Sequence, residues 1–174
     1  MVRAGIGFDA HRFSEASENR PLVLMGLRVP ADIGLAGHSD ADVMVHALID
    51  ALLGAAGLGD IGRHFPDSSP DYSGIDSTEL LAKTIEMIHS RGWRVVNADV
   101  GLIGERPKIA QYANAMSERI APILGIQPEA LNVKATTTEK MGFAGRGEGL
   151  AAQAIALIEY NDETAQAKEQ ECQN

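Results

Sequence analysis

Asp9 and His11 stand two residues apart near the start of the chain, and His46 follows farther along. Side chains two residues apart on a strand lie on the same face, so a carboxylate and an imidazole there can act together. An imidazole on a following helix can complete a set of three ligands. Catalytic zinc is held by three protein groups and keeps one position open, whereas structural zinc usually has four. These three residues therefore predict a metal site that is capable of chemistry.

His46 lies on a helix predicted over residues 39–57, with Ser39 as N-cap and Asp42 as its reciprocal acid. The helix is apolar nearly all the way round, which is typical of a buried helix. Against that background Asp42, His46 and Asp50 fall at i, i+4 and i+8 and form one polar line. Buried polar groups need partners. We expect Asp42 and Asp50 to orient a ligand histidine or to pair with a neighbouring loop.

A second polar cluster covers residues 134–140, with two lysines, three threonines and a glutamate. At the end of a strand such groups could bind phosphate oxygens and a second hard cation such as Mg²⁺. Glycines at 142, 145, 147 and 149 follow, in a spacing that matches neither the Rossmann nor the P-loop fingerprint. Residues 104–108 lead from a predicted strand towards a helix, whose N-terminus could face an anion or a base.

Each of these patterns also has a purely structural interpretation. Asp9 and His11 could be a polar pair at a strand end, and His38 and Asp40 could be helix-cap residues. The threonines could form a solvated turn, and the glycines could be turn residues with positive φ. The residues alone leave these alternatives open.

Strands and helices are both needed to position these residues. Apolar and polar alternation predicts a strand over 2–13 that ends with Asp9 and His11, with residues 22–25 as a hairpin partner. The other predicted elements are a mobile surface loop over 59–70, a helix over 77–90, a strand over 93–103, a helix from Pro107 to about Leu124 that Pro122 kinks or shortens, and strands over 131–135 and 150–160. Residues 1–160 are expected to form one domain and residues 161–174 a disordered polar tail.

Composition excludes several classes of function. The 174 residues, 45% of them hydrophobic, are enough for one sizeable core. A net charge of −9 argues against broad nucleic-acid binding, although metals and local cations could hold a small anionic ligand. Cys172 is the single cysteine, which indicates a reducing compartment. The sequence has no signal pattern or membrane-length apolar run, so we expect a cytoplasmic protein without a membrane partner.

Six segments together resemble one enzyme family, the 2-C-methyl-D-erythritol 2,4-cyclodiphosphate synthases. They are GFDAH at 7–11, GHSDADVMVHA at 37–47, DALLGAA at 50–56, LGDIGRHFPD at 58–67, NVKATTTEK at 132–140 and GFAGRGEG at 142–149. The resemblance extends along nearly the whole folded chain. Since the chain begins directly at the first motif, no fused cytidylyltransferase is expected upstream.

The resemblance implies a cyclising phosphorus–oxygen lyase of non-mevalonate isoprenoid precursor biosynthesis. The substrate would be 4-diphosphocytidyl-2-C-methyl-D-erythritol 2-phosphate, and the products the 2,4-cyclodiphosphate and CMP. The 2-phosphate would attack the β-phosphorus of the same molecule, with no covalent enzyme intermediate. Catalysis would then consist of positioning and charge neutralisation.

The resemblance also implies roles for individual residues. Asp9, His11 and His46 would hold zinc, Glu139 would bind Mg²⁺ or Mn²⁺, and His38 and Thr137 would stabilise the transition state. Asp60 and Gly62 would meet substrate hydroxyls, residues 65–69 would cover the methylerythritol end, and residues 104–110 and 135–137 would enclose the cytosine and the nucleotide phosphates. The complete set of implied substrate contacts is Asp9, Ala10, His11, His38, Ser39, Asp60, Ile61, Gly62, Phe65, Pro66, Asp67, Ser68, Ser69, Gly104, Glu105, Arg106, Pro107, Lys108, Ile109, Ala110, Ala135, Thr136, Thr137, Thr138, Glu139, Phe143 and Arg146.

The fold implied by the resemblance is α+β, a single domain with a mixed sheet and helices packed on one face. The family assembles as a homotrimer, with active sites shared between adjacent subunits and the sheet facing the threefold axis. Two other classes remain possible from the residues alone. One is a zinc-dependent phosphohydrolase of nucleotides, and the other is a non-catalytic module that binds nucleotide or metal.

Overall fold

A four-stranded mixed sheet organises the protein, for which the computed structural model describes residues 1–66 and 68–161. The sheet consists of β1 (Val2–Arg12), β6 (Gly149–Tyr160), β4 (Trp93–Ile103) and β5 (Leu131–Thr136), in that spatial order. β6 is antiparallel to both of its neighbours, β1 and β4, whereas β4 and β5 are parallel. A separate hairpin joins β2 (Leu22–Leu24) to β3 (Leu27–Val29). The predicted α+β class with a mixed sheet is confirmed.

The helices are α1 (Val43–Ala56), α2 (Ile61–His64), α3 (Ser77–His89), α4 (Ala113–Leu124) and α5 (Gly142–Gly145). Single 3-10 turns cover Ala16–Glu18, Pro70–Tyr72, Ala110–Tyr112 and Pro128–Ala130. In the described part of the chain no helix has the length and apolar character that crossing a membrane requires. The α1 helix is the centre of the core, since it packs against β1, β6 and α3 and buries all of its residues except Asp50 and Gly54.

Glycines let β1 lie directly on the backbone of α1. A Cβ added at Gly7 would meet the carbonyl oxygen of Ala47 and lie 2.7 Å from the amide nitrogen of Ala51, and Gly5 is equally crowded. Real Cβ atoms do not come this close to backbone atoms. Because alternate residues of a strand share a face, Asp9 lies on the same side of β1 as these glycines and so faces α1.

The opposite face of the sheet exposes large apolar side chains. Ile6 is 63%, Phe8 57% and Ile155 52% exposed, whereas Ala152 and Ala154 of the same strand β6 are buried towards α1. The expectation of helices on one face of the sheet therefore agrees with the packing, and the other face is apolar and open in the single chain.

Two predicted boundaries differ from the structure. The α1 helix begins at Val43 with Asp42 as its N-cap, not Ser39, because the Asp42 carboxylate accepts hydrogen bonds from Met44 N and Val45 N. Pro107 does not start a helix; it follows a cis peptide bond in a loop, and α4 begins at Ala113. That loop is held instead by the buried side chain of Ile109.

Two further expectations are corrected in the first half of the chain. Residues 22–25 pair with β3, whereas β1 takes its antiparallel partner from the end of the described chain, β6. The loop predicted over 59–70 contains the short helix α2, because the Asp60 carboxylate accepts from Arg63 N and caps it. Apart from Asn161, the predicted tail lies outside the described residues.

Candidate metal site and adjoining cavity

Asp9, His11 and His46 converge where the end of β1 crosses the first turn of α1. Asp9 Oδ2 lies 3.0 Å from His11 Nε2 and 3.1 Å from His46 Nδ1, and the two ring nitrogens are 3.1 Å apart. Ligand atoms held ~2.0–2.1 Å from a tetrahedral zinc ion lie about 3.3 Å apart. The observed triangle is close to this size, so the three side chains fit one ion.

The outer nitrogen of each imidazole has a hydrogen-bond partner. His11 Nδ1 lies 2.9 Å from the carbonyl oxygen of Ala36, which can only accept, so this nitrogen carries the proton and Nε2 keeps a lone pair. His46 Nε2 lies 2.9 Å from Ser77 Oγ and 3.3 Å from Ser39 Oγ. Partners of this kind fix the orientation of metal-binding histidines.

The charge of Asp9 suits a cation. Burial disfavours its charged form, but the neighbouring imidazoles of His11 and His46 outweigh that effect and hold the pKa of Asp9 well below its usual range. Asp9 Oδ1 accepts from the Ala10 amide at 2.8 Å, which leaves Oδ2 directed at the imidazoles. The ionised carboxylate and two histidines form the donor set of a catalytic zinc site.

Asp42 and Asp50, which lie on the same polar line as His46, accept hydrogen bonds from backbone amides rather than from the His46 imidazole. Asp42 also accepts from Gly26 N at 2.7 Å, which ties the β2–β3 turn to the helix. Asp50 accepts from Ile61 N at 2.7 Å and so fixes the start of α2. Pairing with neighbouring loops, one of the two expected roles, is therefore confirmed for both residues.

The loops around the triad include several of the predicted substrate contacts. His38 Nε2 donates to the carbonyl of Ser69 at 3.2 Å, which places His38 beside the segment predicted to cover the substrate. Phe65 anchors this segment, because its buried ring stacks edge-on against Tyr72 with centroids 5.5 Å apart. Asp60 is exposed at the cap of α2. Asp67 lies outside the described residues.

The segments predicted to enclose the cytosine do lie together. A cavity of about 400 Å³ beside β5 is lined by residues from both of them: Gly104, Pro107, Lys108, Ile109, Ala110, Ala113, Val133, Lys134, Ala135, Thr136 and Thr137. Near this cavity, Thr137 Oγ1 donates to Glu139 Oε1 at 3.0 Å, which places a hydroxyl and a carboxylate side by side. Phe143 is 39% exposed, and Arg146 forms an ion pair with Glu148 at 2.6 Å.

Glu105 has a structural role that sequence reasoning missed. Its Oε1 accepts from Thr138 N at 3.1 Å and from Lys140 N at 3.2 Å. Glu139 and Lys140 both have positive φ, 52° and 63°. Residues other than glycine rarely adopt this region of backbone conformation. The Glu105 carboxylate thus holds the turn that presents Thr137 and Glu139. Those backbone hydrogen bonds, led by the one from Lys140, lower the pKa of Glu105.

The Asp9, His11 and His46 triad and the turn with Thr137 lie apart within one chain. His11 pairs with Leu150 in β6, Ala151 of β6 pairs with Ile103 in β4, and Ile103 pairs with Thr136 in β5, so all four strands bring these residues to one end of the sheet. Three strand spacings separate β1 from β5, about 14 Å. The triad and Thr137 are therefore too far apart within one chain to contact the same small group of atoms.

The chain is similar to known proteins along nearly its whole described length. Residues 2–159 match the model of the YgbB family. The chain is 54% identical over 158 residues to the 2-C-methyl-D-erythritol 2,4-cyclodiphosphate synthase of Alkalilimnicola ehrlichii, which covers 91% of this chain and 95% of that protein.

Solved structures agree with this match. The bifunctional IspDF of Campylobacter jejuni superposes with a TM-score of 0.87 at 42% identity, over 92% of this chain and 42% of that longer chain. The CDP complex of IspF from Plasmodium falciparum gives a TM-score of 0.79 at 28% identity, over 92% of this chain and 97% of that chain.

Proposed function

The chain belongs to the YgbB family and has 2-C-methyl-D-erythritol 2,4-cyclodiphosphate synthase function, and we propose that one zinc ion bound by Asp9, His11 and His46 supports this function. The protein is a cyclising phosphorus–oxygen lyase of the non-mevalonate isoprenoid pathway. The family match favours this function over the phosphohydrolase and the non-catalytic module. The observation that carries the zinc assignment is the triangle of three ligand atoms, with sides of 3.0–3.1 Å.

The reaction we propose is an internal phosphoryl transfer. An oxygen of the 2-phosphate forms a bond to the β-phosphorus of the same molecule, and the bond from that phosphorus to the oxygen bridging the two phosphates breaks. The bridging oxygen leaves on CMP, which carries the electron pair of the broken bond. No protein nucleophile is needed, so the enzyme contributes positioning and charge neutralisation.

The residues around the triad have distinct tasks in this proposal. Bound zinc supplies a Lewis acid and a template for a phosphate oxygen. Asp9, His11 and His46 would hold that ion, and the His38 Nε2–H, which donates to the carbonyl of Ser69 in this structure, would be a donor for developing negative charge. The segment anchored by Phe65 covers the methylerythritol end of the substrate.

The cavity beside β5 is the proposed site for the cytidine nucleotide. The CDP complex of the Plasmodium falciparum relative supports a ligand of this class. Backbone groups of residues 104–110 and 135–137 would recognise the cytosine, and the Glu139 carboxylate would bind Mg²⁺ or Mn²⁺ at the phosphates. Thr137 would donate a hydrogen bond to the phosphate that is attacked.

We infer that the working enzyme is a homotrimer whose sites are shared between adjacent subunits. Two observations support it. The triad and Thr137 are about three strand spacings apart in one chain, ~14 Å, although both must reach one diphosphate. The open face of the sheet carries Ile6, Phe8 and Ile155, which are more than half exposed in the single chain, and apolar patches of this kind mark association surfaces.

Product analysis tests the zinc assignment together with the reaction. The purified protein is incubated with the diphosphocytidyl methylerythritol 2-phosphate, Zn²⁺ and Mg²⁺, and ³¹P NMR follows the products. Cyclic diphosphate and CMP are expected for the unmodified chain and for His89→Ala, which removes an exposed histidine on α3. His46→Ala is expected to lose turnover. Linear products, or full activity of His46→Ala, would contradict the proposal.

A further inference from the structure

We propose that Ser77 and Asp40 form a relay that fixes the tautomer of His46 and so prepares its Nδ1 to bind metal. The relay is defined as the hydrogen-bonded chain from His46 Nε2 through Ser77 Oγ to the Asp40 carboxylate. The proposal rests on the zinc site described above and adds two positioning residues to it. Neither residue touches the substrate or the ion in this proposal.

The relay joins three parts of the fold. Ser77 is the first residue of α3 and is fully buried, with Oγ 2.9 Å from His46 Nε2 of α1. The Ser77 hydroxyl donates to Asp40 Oδ1 in the loop before α1. Asp40 Oδ2 accepts from the Ser77 backbone amide at 3.1 Å, and Oδ1 also accepts from Asp42 N at 3.2 Å. Asp40 is therefore anchored on both of its oxygens.

The direction of the hydrogen bonds determines where the proton of His46 resides. An ionised carboxylate can only accept, so the single hydroxyl proton of Ser77 is committed to Asp40. Towards His46 the Ser77 oxygen can then offer only a lone pair, and Nε2 must carry a proton to bond with it. A neutral imidazole has one N–H. Nδ1 is therefore left with its lone pair, directed towards Asp9 Oδ2 at 3.1 Å.

The neighbouring hydroxyl agrees with this assignment. Ser39 Oγ accepts from Ala41 N at 3.1 Å and lies 3.3 Å from His46 Nε2, so it can serve as a weaker second acceptor for the same proton. In the other tautomer, Nδ1 would carry the proton and could not bind an ion until it was lost. The relay thus stabilises the metal-binding form before any ion arrives.

Zinc affinity and the tautomer of the metal-free protein test the relay. Ser77→Ala and Asp40→Asn are each expected to weaken zinc binding by about 10–100-fold in competition with a chelating dye, the range typical of outer-sphere partners of zinc ligands. In ¹⁵N NMR of chelator-treated protein, His46 of the unmodified chain should be protonated on Nε2, and Ser77→Ala should show a mixture of both tautomers.

Two variants control for general structural effects. Ser117→Ala removes another buried hydroxyl, which donates to the carbonyl of Leu131 at 2.9 Å away from the triad. Asp76→Asn perturbs the cap of α3 without touching the relay, since Asp76 accepts from Thr78 N. Both should bind zinc within about twofold of the unmodified chain, with the His46 tautomer unchanged.

The outcomes separate the relay from the zinc site. If Ser77→Ala keeps both the zinc affinity and the Nε2–H tautomer, the relay is wrong and the zinc site stands. If the controls lose affinity as much as the relay variants, the effect is general and the relay is also wrong. If the unmodified chain binds no zinc, the zinc site fails, whatever tautomer NMR assigns to His46.

Discussion

Replacing Gly7 by alanine should separate β1 from α1 and distort the triad. A Cβ at this position would meet Ala47 O, and even its next neighbour, Ala51 N, would be only 2.7 Å away, against at least 3.4 Å for an ordinary contact. The strand must therefore move by at least about 0.7 Å. Overpacking of this kind typically costs ~1–3 kcal/mol. Because functional constellations tolerate displacements of only about 0.5 Å, Asp9 should also lose its position relative to His46.

Gly54→Ala is a matched control on the other side of the same interface. The nearest atom to an added Cβ there is Ile6 O at 3.8 Å, an ordinary contact, and the position is interior to α1. Alanine is favoured over glycine inside a helix by about 1 kcal/mol. Gly54→Ala should therefore raise the free energy of unfolding, while Gly7→Ala lowers it.

Urea denaturation and zinc titration of both variants measure these effects. We expect opposite signs of the change in unfolding free energy, and at least about tenfold weaker zinc binding for Gly7→Ala only. If Gly7→Ala is as stable as the unmodified chain, or if both variants shift in the same direction, the close packing of β1 on α1 is wrong.

Three further predictions test other parts of the account. Burial raises the pKa of Asp42 to about 6 despite hydrogen bonds from Gly26 and Val45, so the folded state holds this proton more tightly than the unfolded state. The free energy of unfolding should then fall by up to about 3 kcal/mol as the pH rises from about 4 to 6. Urea denaturation of Asp42→Asn over the same pH range should lack this decrease. Glu105→Ala should lower kcat by about tenfold with unchanged zinc affinity, because the turn that presents Thr137 is loosened. Glu105→Gln keeps an accepting oxygen and should retain most of the activity. Equal kcat values for the two variants would contradict the anchoring role of Glu105. Ile155→Glu should convert the proposed trimer to smaller species in sedimentation velocity, and an unchanged sedimentation coefficient would place the subunit interface elsewhere.

The ligand triad was predictable because simple periodicities generate it. Alternation along a strand puts Asp9 and His11 on one face, and the polar line on a buried helix marks His46 as a residue that needs a partner. The glycine alternation at positions 5 and 7 is the further signal that this face lies close against another element.

The rest of the site depends on contacts between distant parts of the chain. Ser77 meets Asp40 and His46 only after α3 has packed against α1, and in the sequence it resembles an ordinary helix cap. Glu105 and Lys140 are similarly remote, and nothing local marks their hydrogen bond. The spatial order of the strands, which separates the triad from Thr137, is likewise not encoded in any local pattern.

The boundary errors have the same origin. Pro107 is a common first residue of helices, but here it belongs to a loop that lines the cavity beside β5. Ser39 and Asp42 both suit a helix cap, and packing decides between them, because only the Asp42 carboxylate also reaches Gly26 N of the β2–β3 turn.

The zinc content of the purified protein, together with turnover after its removal, tests the central claim most directly. We expect one tightly bound zinc ion per chain in the unmodified protein and none in His46→Ala, as measured by elemental analysis after gel filtration. Chelation should abolish cyclic diphosphate formation, and added Zn²⁺ should restore it. Full zinc content in His46→Ala, or undiminished turnover by zinc-free protein in the presence of Mg²⁺, would contradict the assignment of Asp9, His11 and His46 as the zinc ligands on which the reaction depends.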